Sequence, residues 1–416
     1  MTEHNRLILF NWDNTIDRHF TSESEKEIWI NWLPNWSINQ ARKLVKHLNE
    51  AWRATFECSS LPRDMHRILH QFIDNLKRLL VIFSPHIAGE SPGRLPDKGK
   101  ISNYERPMWN ASLSSMWAID NFPRLRDFFA ASERLGFACF ELNHQVNSPM
   151  LAGIDLNSYQ ISSIHAPCPA DISEAELKAR DWLISSIDED HRDQGVRAVK
   201  RSIDLARDLH VSAVIVHPGN VHINPGLEKQ LRKLFSLGEI NSPEADELRQ
   251  QIRTERGSKA PAHLEAVRRS LGELAEYSAS SGVRLGLENR YHLCNIPYPD
   301  EMGWLLEALD PEWVGFWYDV GHAQTLDRLG FFPHETWLGR FADRMIGAHL
   351  HDVRGIDDHY APGLGDVDWS MIGPYIPQGI IRTAELRPHN TSQQIQDGMQ
   401  RLFETGLIQY QGNAQW

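Results

Sequence analysis

Cysteine is scarce in this 416-residue chain: only Cys58, Cys139, Cys168 and Cys294 occur, widely dispersed and never as a CxxC pair. That excludes a disulfide framework and a cysteine zinc knuckle, so a bound metal would have to be held by histidines and carboxylates. Long apolar runs are also lacking. No stretch approaches 18 consecutive apolar residues, and the apolar run in MTEHNRLILFNWDN is too short, and too soon followed by charge, for a secretory signal. A cytoplasmic protein with no membrane span is the expectation. Positive charge is in deficit, with 43 Lys+Arg against 55 Asp+Glu and a net charge of -12. No broad cationic surface is therefore available to neutralise nucleic acid or anionic lipid. With 41% hydrophobic and 24% charged residues the composition is that of an ordinary globular protein. The length fits two or three domains of about 150 residues, or one barrel of about 250 with appendages.

Histidine, by contrast, is plentiful at 20 residues, most of the interesting copies lying beyond position 160. Up to about Tyr104 the pattern is helical, with a capping box from Ser37 to Gln40 and helical apolar spacing in DMHRILHQFIDNLKRLLVIF. Trp29, Trp32, Trp36 and Trp52 read as packing anchors of this region. Its opening LILFNWDNT resembles the nucleophile motif of haloacid dehalogenase-type phosphatases, but Asn11 replaces the nucleophilic aspartate. A Pro-, Gly- and Ser-rich segment from Pro85 to Pro107 then reads as a linker. Residues 1–106 are accordingly expected to form a helical extension and linker, and 107–416 the main domain.

Beyond the linker, eight short β-rich runs alternate with longer helical stretches. They are Ala111–Ala118, Phe137–His144, Ile161–Pro167, Val211–Pro218, Val283–Asn289, Val314–Val320, Met345–Asp352 and Ile380–Arg387. Gly136 and Gly282 sit where helix-terminating glycines belong. Eight β/α units in about 300 residues predict a TIM barrel. A doubly wound sheet would need a glycine-rich phosphate loop after its first strand, and SSMWAIDNF has none. The connection Ile223–Pro261, after the fourth strand, is unusually long and contains a helix capped at Ser242; it is expected to be a lid or a subunit contact.

Barrel chemistry sits at the C-terminal ends of the strands. There this sequence places His165 (SSIHAP), His217 (VIVHPGN), Glu288 (LGLENR), Asp319 and His322 (FWYDVGH), His349 and His351 (GAHLHD), and Glu385 (TAELRP). Several carboxylates converging at an apolar barrel mouth would repel one another and lose hydration, so they call for a cation. Imidazole and carboxylate without thiolate suit Mn²⁺ or Zn²⁺, with Co²⁺ or Fe²⁺ as alternatives.

With those motifs in view, the run from about Ala111 to Phe403 resembles the xylose isomerase-like TIM-barrel superfamily, which holds sugar isomerases and epimerases, dehydratases and endonuclease IV-type AP endonucleases. The resemblance to the epimerases implies a metal held by Glu288, Asp319, His349 and Glu385. The resemblance to the endonucleases adds His165, His217, His322, Asp357 and His359, the last two from the D-x-H of GIDDHYAPGLGD. His351 and Asp352 would then stand behind the ligands. Arg290, Arg354 and Arg387, with His351, are expected to contact substrate. Glu288 and Glu385, assisted by His322, would move protons at a carbon next to a metal-bound carbonyl. The resulting expectation is a divalent-metal-dependent isomerase or epimerase for a small sugar, sugar phosphate or related polyol. Its alternatives are a dehydratase or lyase of the same barrel type, a zinc-dependent phosphodiesterase, or a metal-binding subunit without turnover. The acidic balance and the lack of a basic, wedge-bearing loop disfavour nucleic acid. A homo-oligomer is left open.

Overall fold

The computed structural model describes residues 108–411, all within the second of the two units into which the chain divides at Asn103/Tyr104. The helical extension, its tryptophans, the LILFNWDNT motif and the linker lie outside the described residues.

Eight parallel strands close into a barrel. They are β1 (Met108–Ser114), β2 (Phe137–Leu142), β3 (Gln160–His165), β4 (Ala213–Val216), β5 (Arg284–Glu288), β6 (Val314–Asp319), β7 (Met345–His349) and β8 (Ile381–Ala384). Each pairs with its sequence neighbour, and β1 closes the ring on β8 in parallel, Ser112 opposite Thr383 and Leu113 opposite Ala384. All eight expected strands are present, each stopping short of its expected C-terminal end, while β1 begins three residues earlier than expected and β3 one residue earlier. The first stops at Ser114 because that side chain caps a 3₁₀ turn over Ser115–Ala118.

The strands read as unbroken apolar runs because both faces are covered, one by the barrel interior and one by helices. Every residue of β4 and of β6 is buried. Inside the barrel, Ala213, Ile215, Trp317 and Ile346 form a core of their own, separate from the larger layer between strands and helices. Trp317 is admitted only because Gly286 and Gly347 flank it: a Cβ at either position would collide with the indole. The mouth of the barrel thus rests on an aromatic floor.

Around the barrel run α1 (Leu125–Arg134), α2 (Glu174–Ala179), α3 (Glu189–Asp208), α4 (Pro225–Ser236), α5 (Pro243–Ser281), α6 (Pro299–Glu307), α7 (Val320–Arg328), α8 (Glu335–Phe341) and α9 (Ser392–Glu404). Gly136 and Gly282 adopt positive φ, at 93° and 68°, just past the ends of α1 and α5. The structure differs from the sequence reading after β4. The helix capped by Ser242 does not stop before Pro261 but continues through it as a single 39-residue α5. With α4 it makes a hairpin whose inner face, including Leu231, Leu234, Leu248 and Ile252, is buried. That packing outweighs the one backbone hydrogen bond a helical proline removes.

Candidate metal centre

The strand ends deliver four carboxylates to the barrel mouth, and Glu141, Glu288, Asp319 and Glu385 are all essentially solvent-free. Glu288 closes β5 and Asp319 closes β6, where it also caps α7 by accepting the His322 N–H at 2.7 Å. Asn289 braces these two ends together, accepting the Asp319 N–H at 2.7 Å and donating to the Asp319 carbonyl at 2.9 Å. His349, at the end of β7, is the hub. Its Nδ1 lies 2.9 Å from Glu288 Oε1, 3.1 Å from Glu385 Oε2 and 3.5 Å from Asp319 Oδ2. Its Nε2 lies 3.1 Å from Glu141 Oε2.

Two overlapping groups offer ligand atoms all within 4.8 Å of one another: Glu288, Asp319, His349 and Glu385, and Asp319, His351, His359 and Glu385. Two further triads extend the cluster, His165 with Glu288 and His349, and His144 with His165 and Glu385. His165 and His217 present their Nε2 atoms to Glu288 Oε2, at 3.8 and 2.7 Å. Their Nδ1 atoms are engaged elsewhere, His165 with the Ala166 carbonyl at 3.2 Å and His217 with Glu174 at 2.9 Å. With Nδ1 carrying the proton, each Nε2 has a lone pair to offer.

The charge balance follows from burial and partners. Burial alone would raise the Glu288 carboxyl, but the Arg290 guanidinium and His217 hold it well below the usual carboxylate range. Asp319 is likewise raised by burial and overcompensated by His322 and His351. Burial would lower His349, yet the carboxylates of Glu385 and Glu141 lift it well above an ordinary imidazole. His359 is pushed to about 10, burial being outweighed by Asp358 and Glu385. His322, whose burial dominates, falls to about 4.

The expected residues do not all belong to this cluster. Asp357 does not: its carboxylate faces solvent, paired with Arg387 and accepting from Tyr360 at 2.6 Å. The buried neighbour Asp358 takes the inward place instead, 2.9 Å from His359 Nδ1 and 4.0 Å from His322 Nε2. On a regular strand, residues two apart share a face. His359, however, adopts φ 62°, a left-handed conformation that interrupts the alternation. Arg354 is also outside, its guanidinium donating to the Leu364 carbonyl and lying over the Tyr360 ring. Arg387 is held at the rim by Asp357 and Asp358. Arg290 is nearly buried against Glu288, 2.6 Å away. His351 donates Nε2–H to both Asp319 oxygens, at 3.0 and 3.1 Å, while its Nδ1 accepts the His359 N–H. Gly321 makes this possible, since a Cβ there would strike the His351 ring. Asp352 instead ties down the following loop, accepting from the N–H groups of Gly363 and Val367.

Sequence reasoning missed Glu141, Asn143, His144, Glu174 and Asp358. Glu141, Asn143 and His144 carried the same signal as the residues that were found, because FELNH ends a strand. Asn143 donates to Glu385 Oε1 at 2.9 Å. Glu174 opens α2, and no strand-end pattern marks it.

Whether this donor set suits a cation can be judged from its unmet hydrogen bonds. Glu141 Oε1, His144 Nδ1 and Asp358 Oδ2 are buried without a hydrogen-bond partner. Such concentrated unsatisfied acceptors beside four buried carboxylates are what a divalent ion relieves. The residues present fit one.

A closed (β/α)8 barrel crowned by histidines and carboxylates defines the class, and the chain belongs to the xylose isomerase-like TIM-barrel family, whose model matches residues 129–374, more than half of its length. Among solved structures, a D-tagatose 3-epimerase-like protein shares the fold with TM-score 0.51 and 18% identity, over 71% of this chain and 96% of that one. A putative xylose isomerase from Rhodospirillum rubrum does so with TM-score 0.50 and 14% identity, over 71% and 99%. In sequence, the chain is 24% identical over 209 residues to an uncharacterised protein of Sinorhizobium fredii, covering 50% of this chain and 54% of that protein. It is 27% identical over 103 residues to an uncharacterised protein of Methanocaldococcus jannaschii, covering 24% and 34%. The chain thus spans about half and about a third of these two relatives. Among the described residues no helix is long and apolar enough to cross a membrane.

Proposed function

We propose that this protein is a divalent-metal-dependent isomerase or epimerase of a small polyhydroxylated carbonyl compound. The observation that carries the reading is the convergence of Glu288 and Glu385, from β5 and β8, on one buried cluster with Asp319 and His349. Those four residues would hold the ion, Zn²⁺ or Mn²⁺ by the chemistry of the donors. When bound, the ion supplies Lewis acidity that polarises a carbonyl and acidifies the neighbouring C–H.

The chain's own part is proton handling and orientation. Glu288 and Glu385 reach the cluster from different sides of the ring, so one carboxylate can take a carbon-bound proton while the other returns it on the opposite face. Asn143 and His359 fix the Glu385 carboxylate, donating to Oε1 and Oε2. His322, kept neutral by burial, stands by Asp319 as a proton relay. The solved epimerase-like neighbour has a barrel of the same shape, which supports the class of chemistry.

Incubation of candidate sugars with the metal-loaded protein in deuterated water tests the reading. Metal-dependent exchange of a carbon-bound hydrogen is expected, and Glu385→Gln should suppress it by orders of magnitude. Full exchange in Glu385→Gln refutes the two-glutamate mechanism. Cleavage of abasic DNA by the wild type without any exchange moves the protein to phosphodiester chemistry.

A further inference from the structure

Beside the metal centre, between α2, α3 and the end of β4, lies a cavity of about 60 Å³. At about 10–15 Å³ per water it has room for about four to six waters, or a short hydroxylated carbon segment. His217 and Arg290 belong both to its wall and to the cluster, so the cavity adjoins the proposed reaction site. Its remaining polar wall is Glu174, Lys178, Asn220 and Asn295, and its apolar wall includes Trp182, Leu183 and Ala198.

Charge in this wall is matched pair by pair. Lys178 lies 2.9 Å from Glu174, and Arg290 2.6 Å from Glu288. Neutral donors are what remain. Asn295 donates to Asn220 Oδ1 at 2.6 Å and accepts the His292 N–H at 3.0 Å, which leaves the Asn220 NH₂ with no partner among the described residues. A hydroxyl can take that donor and offer its proton to Glu174. A phosphate dianion could bind only by pulling a cation from its carboxylate, and would then face that carboxylate.

We propose that this cavity is a subsite for the non-reacting end of the substrate, and that it selects a neutral, hydroxylated end over a phosphate ester. The proposal rests on the isomerase reading for the statement that a substrate carbonyl sits at the metal centre. Binding and turnover are therefore measured separately. Calorimetric titration of the metal-loaded protein uses sorbitol and sorbitol 6-phosphate, whose hydroxyls engage the site without reacting.

Sorbitol should bind at least tenfold more tightly than its phosphate. Ala198→Leu, which fills the cavity from α3, should weaken sorbitol at least tenfold with metal content unchanged. Asn220→Ala, which keeps the cavity's shape, should weaken it several-fold. Equal or tighter binding of the phosphate ester overturns the selectivity. Unaltered sorbitol affinity in both variants, or no sorbitol binding by the wild type, overturns the subsite. Sorbitol binding lost in the variants, with no hydrogen exchange on any free sugar in the wild type, upholds the subsite and removes the isomerase reading.

Discussion

Each residue of the cluster is accountable for its own contacts, and the clearest contrast is between two adjacent aspartates. Asp357→Ala removes a solvent-facing pair with Arg387 and the hydrogen bond from Tyr360, neither of which touches the cluster's imidazoles. Asp358→Ala removes the carboxylate beside His359 and His322. Metal content after dialysis should therefore be unchanged in Asp357→Ala and reduced in Asp358→Ala; the reverse order would return the D-x-H pattern to the site. Asp319→Asn and His349→Ala should each abolish metal retention while leaving a folded barrel. The asparagine can still cap α7 as Asp319 does, and the strands are packed by apolar side chains well below the ligands. Elemental analysis together with circular dichroism checks both halves of that statement. Equal metal retention would remove these residues from the ligand set.

Among the elements, the α4–α5 hairpin has the most distinctive attachment. Glu228 of α4 accepts the Leu293 N–H at 2.9 Å and lies 2.7 Å from both His292 and Arg232. From α5, Arg249 donates to the Leu329 carbonyl and Arg256 pairs with Glu301 at 2.6 Å. The hairpin thereby clamps the loop that carries Arg290 and Tyr291, and the Tyr291 ring stacks on His322 with centroids 4.5 Å apart. Glu228→Ala strands a buried N–H and an arginine, which should cost about 2–4 kcal/mol in urea unfolding. An unchanged midpoint would mean the clamp contributes nothing. The barrel strands were legible because a strand covered on both faces must be apolar throughout, and a polar residue ending such a run is conspicuous. Glu141 was legible on the same grounds. Glu174, the hairpin's attachment and the inward turn of Asp358 were not, because they depend on loop geometry and on the left-handed His359. Nor does local sequence announce that tertiary packing carries α5 through Pro261.

The stability of the molecule as a whole should depend on pH more steeply without metal than with it. His359, raised to about 10 by Asp358 and Glu385 against burial, contributes stability to the metal-free protein in full below an imidazole's ordinary value of about 6.5. That contribution is lost as pH climbs toward its folded value. Glu288 and Asp319, held low despite burial, contribute above the ordinary carboxylate value of about 4 and lose that stability as pH falls further below it. His322 and His334, lowered to about 4 chiefly by burial, lose stability as pH falls below about 6.5. Thermal unfolding of chelator-treated protein should therefore peak near about pH 6.5 and decline toward about pH 9. Metal at about a thousandfold excess over its dissociation constant should add about 4 kcal/mol at neutral pH and flatten the decline. A chelated protein that gains stability from neutral to alkaline pH would contradict this balance. The floor of the barrel offers a way to watch the exchange of proton for metal. Trp317 sits against His349 with ring centroids 5.4 Å apart, and a protonated imidazole quenches indole fluorescence. Loading the ion drives the proton from His349, so the emission of Trp317 should brighten in step with occupancy and reach its endpoint at the binding stoichiometry. In Trp317→Phe the brightening should vanish while metal is still bound. The glycines that make room for that indole thus also give the site a built-in optical reporter.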